Sequence, residues 1–407
     1  MRLLMIATGY LPYLFSENLC NGKLVFALKE SGIDVDVISR VDNGPTYQTE
    51  WQEPWIPLKD SSYVISYPAG STIGRIYDTL RSGIVMDWNF INGIRWARRA
   101  CEKATELLST NQYDAILTRS PNDIAHLVGY MLKKKHPGIK WIANWNDPAG
   151  PIWPEPYKHV LSPKKQRREE AFTTKLLRAA DINTFPSDSL RNHFISFFPF
   201  LSVKATAVVP HIGMSRNVFN KKPSARHAKL MLCHSGNLSK ERNPELTFRA
   251  MKELVAEGYT DFCLDIMGRE NPEVSRLVKE YGLGEYVRHI GSFGYMEALD
   301  RLQDYDVLVL LEAILEKGIF FASKFTDYAQ TGLPILAISP KQGFAHDMIE
   351  KYKAGIVADN TDYHSIKSSL KKLIEYFRNG TIFEYTSQSL FEEFSPENVV
   401  KIYKGLI

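Results

Sequence analysis

The sequence predicts an α/β protein built from two doubly wound, Rossmann-like domains. Three observations carry that expectation. Short apolar runs alternate with longer amphipathic stretches, the pattern of parallel strands joined by crossover helices. The alternation stops at a polar stretch, Gly213–Arg226, and then starts again. The chain has 407 residues, which exceeds one ordinary domain.

In the first half, Leu3–Thr8 reads as a strand, Asn21–Ser31 as a helix ended by Gly32, and Asp34–Ser39 as a second strand. Residues 43–80 are rich in Pro, Tyr, Trp and Ser and read as irregular, and Tyr77–Leu108 as a helical region broken once. Then come strand Asp114–Thr118, helix Ile124–Lys135, strand Lys140–Asn144, a Pro-rich loop, helix Gln166–Ala179, and strands Asp181–Phe185 and Thr206–Val209. In the second half the strands are Lys229–His234, Phe262–Met267, Val287–Ile290, Asp306–Leu311, Ile335–Ile338 and Gly355–Val357. Helices Glu245–Glu257, Pro272–Tyr281, Met296–Gln303, Lys324–Thr331, Phe344–Lys351 and Tyr363–Arg378 lie among and after them, and Pro396–Leu406 is the last helix. The expected domains are 1–212 and 229–394, with a linker at 213–228 and the helix in 395–407 packing back on the first domain. Open α/β sheets bind ligands beyond the carboxyl ends of their strands, so the site is expected in a central cleft faced by both domains.

Composition narrows the function. Hydrophobic residues make up 44% and charged residues 24%, the mix of a globular protein. A net charge of +4 is too mild for a nucleic-acid binder, but it permits anionic substrates or anionic lipid. Cys20, Cys101, Cys233 and Cys263 form no CxxC pair and have no His at metal-ligand spacing, which argues against structural zinc and disulfides. The apolar run after Met1 is the length of a buried strand, not of a signal peptide, and no run reaches the roughly 18 apolar residues of a membrane span. A cytoplasmic protein is expected. GxGxxG after the first strand, GxxxxGK[ST], GxSxG, HExxH and EF-hand loops are all absent.

The chemistry concentrates in Asp306–Pro334, and above all in Ser323–Pro334 (SKFTDYAQTGLP). A buried strand runs into a loop of small residues, and a helix opens near Ser323-Lys324. A helix N-terminus attracts phosphate, and Lys324 adds a full charge. Asp327, one turn in, suits paired ribose hydroxyls. The plainer alternative makes Ser323 a helix cap, Lys324 a surface charge and Asp327 a solvated first-turn acid. A second candidate is the loop Gly236, Asn237, Lys240 and Arg242. There a glycine after a strand admits a ligand to the backbone, and Arg suits bidentate phosphate contact. A solvated basic turn is its plain alternative. The third is Trp141–Pro148 (WIANWNDP), where Asn146 and Asp147 follow a strand. Asp147 there is placed to orient an acceptor hydroxyl or take its proton, or simply to form a turn with Pro148. Asn18, with Glu17 and Asn21, lies in the loop after the first strand, placed to contact acceptor or diphosphate or, alternatively, to serve as plain loop and cap residues. His211 and His234 read as structural.

Ser323–Pro334 resembles the donor-binding region of the retaining glycosyltransferases of family 4 (GT4). The family pattern S-K-x-x-E-Y-x-x-x-G-x-P meets Ser323, Lys324, Asp327, Tyr328, Gly332 and Pro334, with Asp for Glu. Leu232–Pro244 is similar to the glycine loop that opens the family's second domain. WIANWNDP resembles a motif of bacterial surface-polysaccharide synthases, and Asp87-Trp88, Ser120-Pro121 and Gly129 fit that subgroup's spacing. The resemblance implies the GT-B fold and a nucleoside diphosphate sugar as donor. It implies donor contacts at Gly236, Asn237, Lys240, Arg242, Ser323, Lys324 and Asp327, with Asp147, Arg242 and Lys324 as the catalytic candidates. Asn18, Asn146 and Asp147 fall on the acceptor side, toward a saccharide or lipid-linked saccharide. No metal or cofactor is expected.

Two positions depart from the family. Eight residues before Asp327 the family carries a Glu that contacts the donor sugar; here that position is Ile319, with Glu316 nearby as a donor-side candidate. The Gly-Gly pair after the first strand is missing near Phe15-Ser16. The aromatic stretch Phe194–Val203 and the basic run Lys164–Arg168 suit peripheral contact with an anionic membrane, or alternatively a core helix end and a solvated charge run. Two rival readings are a sugar-nucleotide epimerase and a non-catalytic partner subunit on the same fold.

Overall fold

A computed structural model describes residues 1–40, 50–66, 71–86, 93–121, 123–220, 222 and 227–407, without the side chains of 75 and 82–86. Asp87-Trp88 and part of the polar stretch around 213–226 lie outside the described residues. The chain divides into two compact units, Met1–Ile212 with Pro396–Ile407, and Gly213–Ser395.

The first unit contains, in order, β1 (Arg2–Ala7), α1 (Ser16–Glu30), β2 (Asp34–Arg40), β3 (Ser62–Ile65), α2 (Thr72–Met86), α3 (Ile94–Thr110), β4 (Ala115–Arg119), α4 (Ile124–Lys135), β5 (Lys140–Asn144), α5 (Pro163–Ala179), β6 (Ile182–Phe185), α6 (Asp188–Phe197) and β7 (Thr206–Val208). Its seven strands lie in the order β3-β2-β1-β4-β5-β6-β7, with every pairing parallel. β1 pairs β2 on one side (Leu3↔Val35) and β4 on the other (Leu3↔Ala115), so strand order reverses direction between β1 and β4. β1 is apolar after Arg2, and both β1 and β4 are buried along nearly their whole length, as expected of a parallel sheet covered by helices on both faces.

Several expected boundaries move, each for a physical reason. α1 starts at Ser16, five residues before the helix expected at Asn21. Its first turns bury polar residues, Asn18 and Asn21, so the apolar repeat becomes visible only at Leu24. β3 falls in a region read as irregular; its residues are only half-buried, which weakens the alternation. α6 lies partly in the aromatic stretch Phe194–Val203 and begins ahead of it, at Asp188. The Ser187 hydroxyl caps it by accepting from Leu190 N–H at 3.2 Å. Phe194, Phe198 and Leu201 are core residues, while Phe197 and Val203 remain exposed. Gly129 is the point where the α4 backbone meets the Trp141 ring, which any Cβ there would overlap.

The second unit contains β8 (Leu230–Ser235), α7 (Glu245–Ala256), β9 (Phe262–Met267), α8 (Pro272–Glu280), β10 (Val287–Gly291), α9 (Tyr295–Leu302), β11 (Val307–Leu311), α10 (Lys324–Thr331), β12 (Ile335–Ser339), α11 (Phe344–Tyr352), β13 (Gly355–Asp359), α12 (Tyr363–Arg378) and α13 (Gln388–Phe394). Its six parallel strands run β10-β9-β8-β11-β12-β13, with order reversing between β8 and β11. The core includes Leu232, Phe248, Leu264, Val309, Leu336 and Leu373. α13 escapes the sequence reading because it is a short helix of 7 residues. The last helix, α14 (Pro396–Leu406), belongs to the first unit, where the Tyr403 hydroxyl accepts from Arg119 at 3.1 Å.

Candidate functional site

The second unit gathers charge at its switch point. β8 ends at Ser235, and Gly236 follows with φ +110, a conformation that strains any side chain. A Cβ on Gly236 would sit 2.6 Å from Lys324 Nζ, so the missing side chain is what admits the ammonium. Gly268 closes the other side, where a Cβ would lie 2.8 Å from the Gly236 carbonyl oxygen.

α10 is fixed over this loop by Tyr328. The buried hydroxyl accepts from Ser235 N–H at 2.7 Å and donates to the Val309 carbonyl at 3.2 Å. These bonds tie α10 to β8 and β11, the strands that flank the switch point. Ser323 is already helical and its side chain makes no cap, so the cap alternative does not hold for this residue. Asp327 is half-buried and accepts from the Tyr295 hydroxyl at 2.9 Å. A carboxylate has acceptor sites beyond that one.

Burial pushes the Lys324 ammonium down to about 7, and the Arg242 charge pushes the same way; Cys233 and Asp327 offset this only in part. His234 is fully buried, and burial pushes its ring far below the usual histidine range, so it is neutral. Its Nδ1 faces the Val309 carbonyl at 3.0 Å and therefore carries the proton. Nε2 is left as an acceptor for Lys324 Nζ at 3.4 Å.

Gly236, Arg242, Lys324 and Asp327 thus fall at the carboxyl end of one sheet. The other donor-side candidates lie differently. Asn237 is exposed and its amide oxygen accepts from Arg269 N–H at 2.9 Å, which shapes the loop. Lys240 and Glu316 are exposed. Ile319 is buried, 4% exposed. Two residues went unnoticed in the sequence. Tyr295 opens α9 and reaches Asp327 across 32 positions of sequence, which no local pattern signals. Glu312 follows β11 directly; burial pushes its carboxyl up to about 7, and Arg242 pulls it back in part.

The first unit places a different chemistry at the ends of β1, β4 and β5. The Asn146 amide donates to Glu17 Oε1 at 2.8 Å and to the Ser120 carbonyl at 2.8 Å, while its own N–H donates to Ser120 Oγ at 3.1 Å. Arg119 lies 4.0 Å from Glu17 and donates to Asn21 Oδ1. Burial raises Glu17 to about 8; Arg119 opposes the shift and the Asp147 charge adds to it. Asp123 is raised to about 7, first by burial, then by Glu169 and Asp147. Asp147 itself is half-buried. Asn18 was expected on a loop facing the acceptor. It lies buried inside α1, and its amide donates to the Tyr10 carbonyl at 2.9 Å, which holds the β1–α1 turn. Asn21 does the same for the Gly9 carbonyl at 2.8 Å. Among the described residues, no three His, Cys, Asp or Glu side chains group to hold a metal. No helix among them is long and apolar enough to cross a membrane.

The comparisons with known proteins meet this geometry in the second unit. Residues 215–377 match the family model Glycosyl transferases group 1. The matched segment covers β8 through nearly all of α12, and so Gly236, Arg242, Glu312, Lys324 and Asp327. No curated protein matches the chain by sequence. Solved structures match its fold throughout. Sucrose-phosphate synthase from Thermosynechococcus elongatus superposes with a TM-score of 0.70 at 15% identity, over 100% of this chain and 99% of that one. The lipopolysaccharide outer core galactosyltransferase WaaB, in its apo form, gives 0.62 at 14% identity, over 100% and 99%. A TarM mutant from S. aureus, in complex with fondaparinux, alpha-GlcNAc-glycerol and UDP, gives 0.65 at 10% identity, over 100% and 99%. The two Rossmann-like units are those of the GT-B fold.

Proposed function

We propose that this protein transfers a glycosyl group from a nucleoside diphosphate sugar to a hydroxyl acceptor. The observation that carries the reading is Lys324 Nζ seated against Gly236 at the β8/β11 switch point, with Arg242 close by, inside the glycosyltransferase-matched segment. In the reaction the bond between the anomeric carbon and the diphosphate breaks, and the acceptor oxygen bonds to that carbon. Negative charge grows on the departing diphosphate, where Lys324, Arg242 and the α10 N-terminus stabilise it. With fixed cations in that role, a metal is not required. Asp327 takes a ribose hydroxyl, and Asp147 takes the acceptor's proton. The GT4 resemblance adds retention of configuration. It also adds a lipid-linked saccharide of bacterial polysaccharide synthesis as acceptor, met at the inner face of the membrane; support for that context comes from the likeness to WaaB, a lipopolysaccharide outer core galactosyltransferase.

The test is a donor screen on the purified chain: calorimetry with UDP, GDP and ADP, then turnover of the matching sugar nucleotide. Micromolar binding of one diphosphate and release of its sugar support the reading. Ile319, apolar and buried where the family carries a Glu, favours a second reading, a non-catalytic partner subunit. Failure to bind any of the three diphosphates would select it.

A further inference from the structure

The switch point of the second sheet holds three charged side chains that do not pair with one another. Lys324 and Arg242 are cations, and Glu312 is an acid. Among the described residues nothing donates a hydrogen bond to the Glu312 carboxyl, although its backbone is firmly held. Its N–H donates to the Ile338 carbonyl at 3.0 Å. The Asn360 amide donates to the Glu312 carbonyl at 3.3 Å and to the Ala313 carbonyl at 3.0 Å. Asn360 is 5% exposed, and its amide oxygen has no hydrogen-bond partner among the described residues.

The loop beyond Glu312 is pinned. Gly318 N–H donates to the Gln342 carbonyl at 2.8 Å, and Phe344 N–H donates to the Gly318 carbonyl at 2.9 Å. Gly343, with φ +131, lies so close to Gly318 that a Cβ on Gly343 would fall 2.2 Å from the Gly318 carbonyl oxygen. A Cβ on Gly318 would lie 3.6 Å from Glu312 Oε2, so the carboxyl faces backbone on that side. A partly desolvated carboxyl without a donor, on a backbone held by an Asn360 whose own amide oxygen is unpartnered, is a place for hydroxyl groups. Each hydroxyl brings the proton that both acceptors lack.

We propose that Glu312 reads the transferred sugar, its carboxyl accepting a ring hydroxyl while Arg242 and Lys324 hold the diphosphate. The inference rests on the glycosyl-transfer reading and assigns the donor-sugar contact within it. The topology is the link: Gly236 follows β8 and Glu312 follows β11, its neighbour in the sheet, so a sugar attached to a diphosphate at the Gly236 loop lies on the side of the carboxyl. The alternatives along the loop are poor acceptors, since Ile319 is apolar and Glu316 is exposed. Burial holds Glu312 at about 7, so it serves as acceptor above that pH and as donor below it.

The test uses the full chain and paired probes: UDP with UDP-glucose, GDP with GDP-mannose, and ADP with ADP-glucose. For whichever diphosphate binds, Glu312→Ala keeps its Kd within about twofold, while the Kd of the sugar conjugate weakens about tenfold, the size of one lost hydrogen bond to a charged group. Glu312→Gln, which preserves shape, shows a smaller loss with the same selectivity. If both ligands weaken together, or neither weakens in a variant with unchanged melting temperature, the sugar-reading role is wrong. If the unaltered chain binds no diphosphate, the glycosyl-transfer reading falls and takes this inference with it. Diphosphate binding that survives in every variant keeps the two questions separate.

Discussion

The two units place opposite chemistries at the same topological position. At the β1/β4 reversal of the first sheet, Glu17, Asn146, Arg119 and Asn21 are engaged with one another and with Ser120. At the β8/β11 reversal of the second, Lys324 lies against the Gly236 backbone, Glu312 follows β11 directly, and neither side chain is in an ion pair among the described residues. The first network satisfies itself and so fixes a loop, the one that carries Asp147. The second leaves desolvated charge for a ligand to complete. The switch-point rule finds both places but does not rank them; the state of their hydrogen bonds sets them apart, and the proposed function puts the diphosphate at the second.

Four experiments press on that contrast. Asp147→Asn should cause the largest change, slowing transfer by roughly 10²–10⁴-fold, the range of a general base, with donor affinity nearly unchanged. A parallel collapse in donor affinity would move Asp147 out of the acceptor role. Lys324→Met should weaken diphosphate binding by about 100-fold, as for loss of one preorganised charge. It should not lower the melting temperature, because an apolar chain removes a desolvated cation. Wild-type affinity should also fall as pH rises above about 7, where Lys324 loses its proton, and the Met variant should lack that dependence. A flat wild-type profile in calorimetry would show that Lys324 does not carry the charge.

Asp327→Ala should weaken nucleotide binding by roughly 1–3 kcal/mol; unchanged affinity removes the ribose role. The smallest effect at neutral pH is expected from Glu17→Gln. A carboxyl raised from 4.5 to about 8 holds its proton more tightly in the fold than in the unfolded chain. Its stabilisation is therefore full below 4.5 and lost as pH rises through about 8. Urea midpoints measured across that window should fall less steeply for the Gln variant, with diphosphate affinity unaltered. Equal slopes would mean that Glu17 is not buried as described.

Much of the fold was legible because parallel strands buried on both faces read as plain apolar runs. Lys324–Thr331 is seen with the same ends in sequence and structure, because Gly332 stops the helix with φ +76. The start of α1 was not legible, since its buried face is polar and takes its meaning from the carbonyls of Gly9 and Tyr10. Of the site, Gly236, Arg242, Lys324 and Asp327 stand out by residue type next to a strand end or helix start. Tyr295 and Glu312 do not, because one acts across a long sequence separation and the other looks like any acid after a strand.

By itself, the sequence determined two α/β units, where their strands end, and a Ser323–Pro334 segment that resembles a donor-binding region. Those are local matters, set by apolar period, glycine position and helix signals. Only the tertiary structure decided what surrounds each charge. It set Lys324 against Gly236 through the Tyr328 bonds, and withdrew Asn18 into a helix. Burial and the distance between side chains far apart in the chain set these environments, and neither is written in any short stretch of residues.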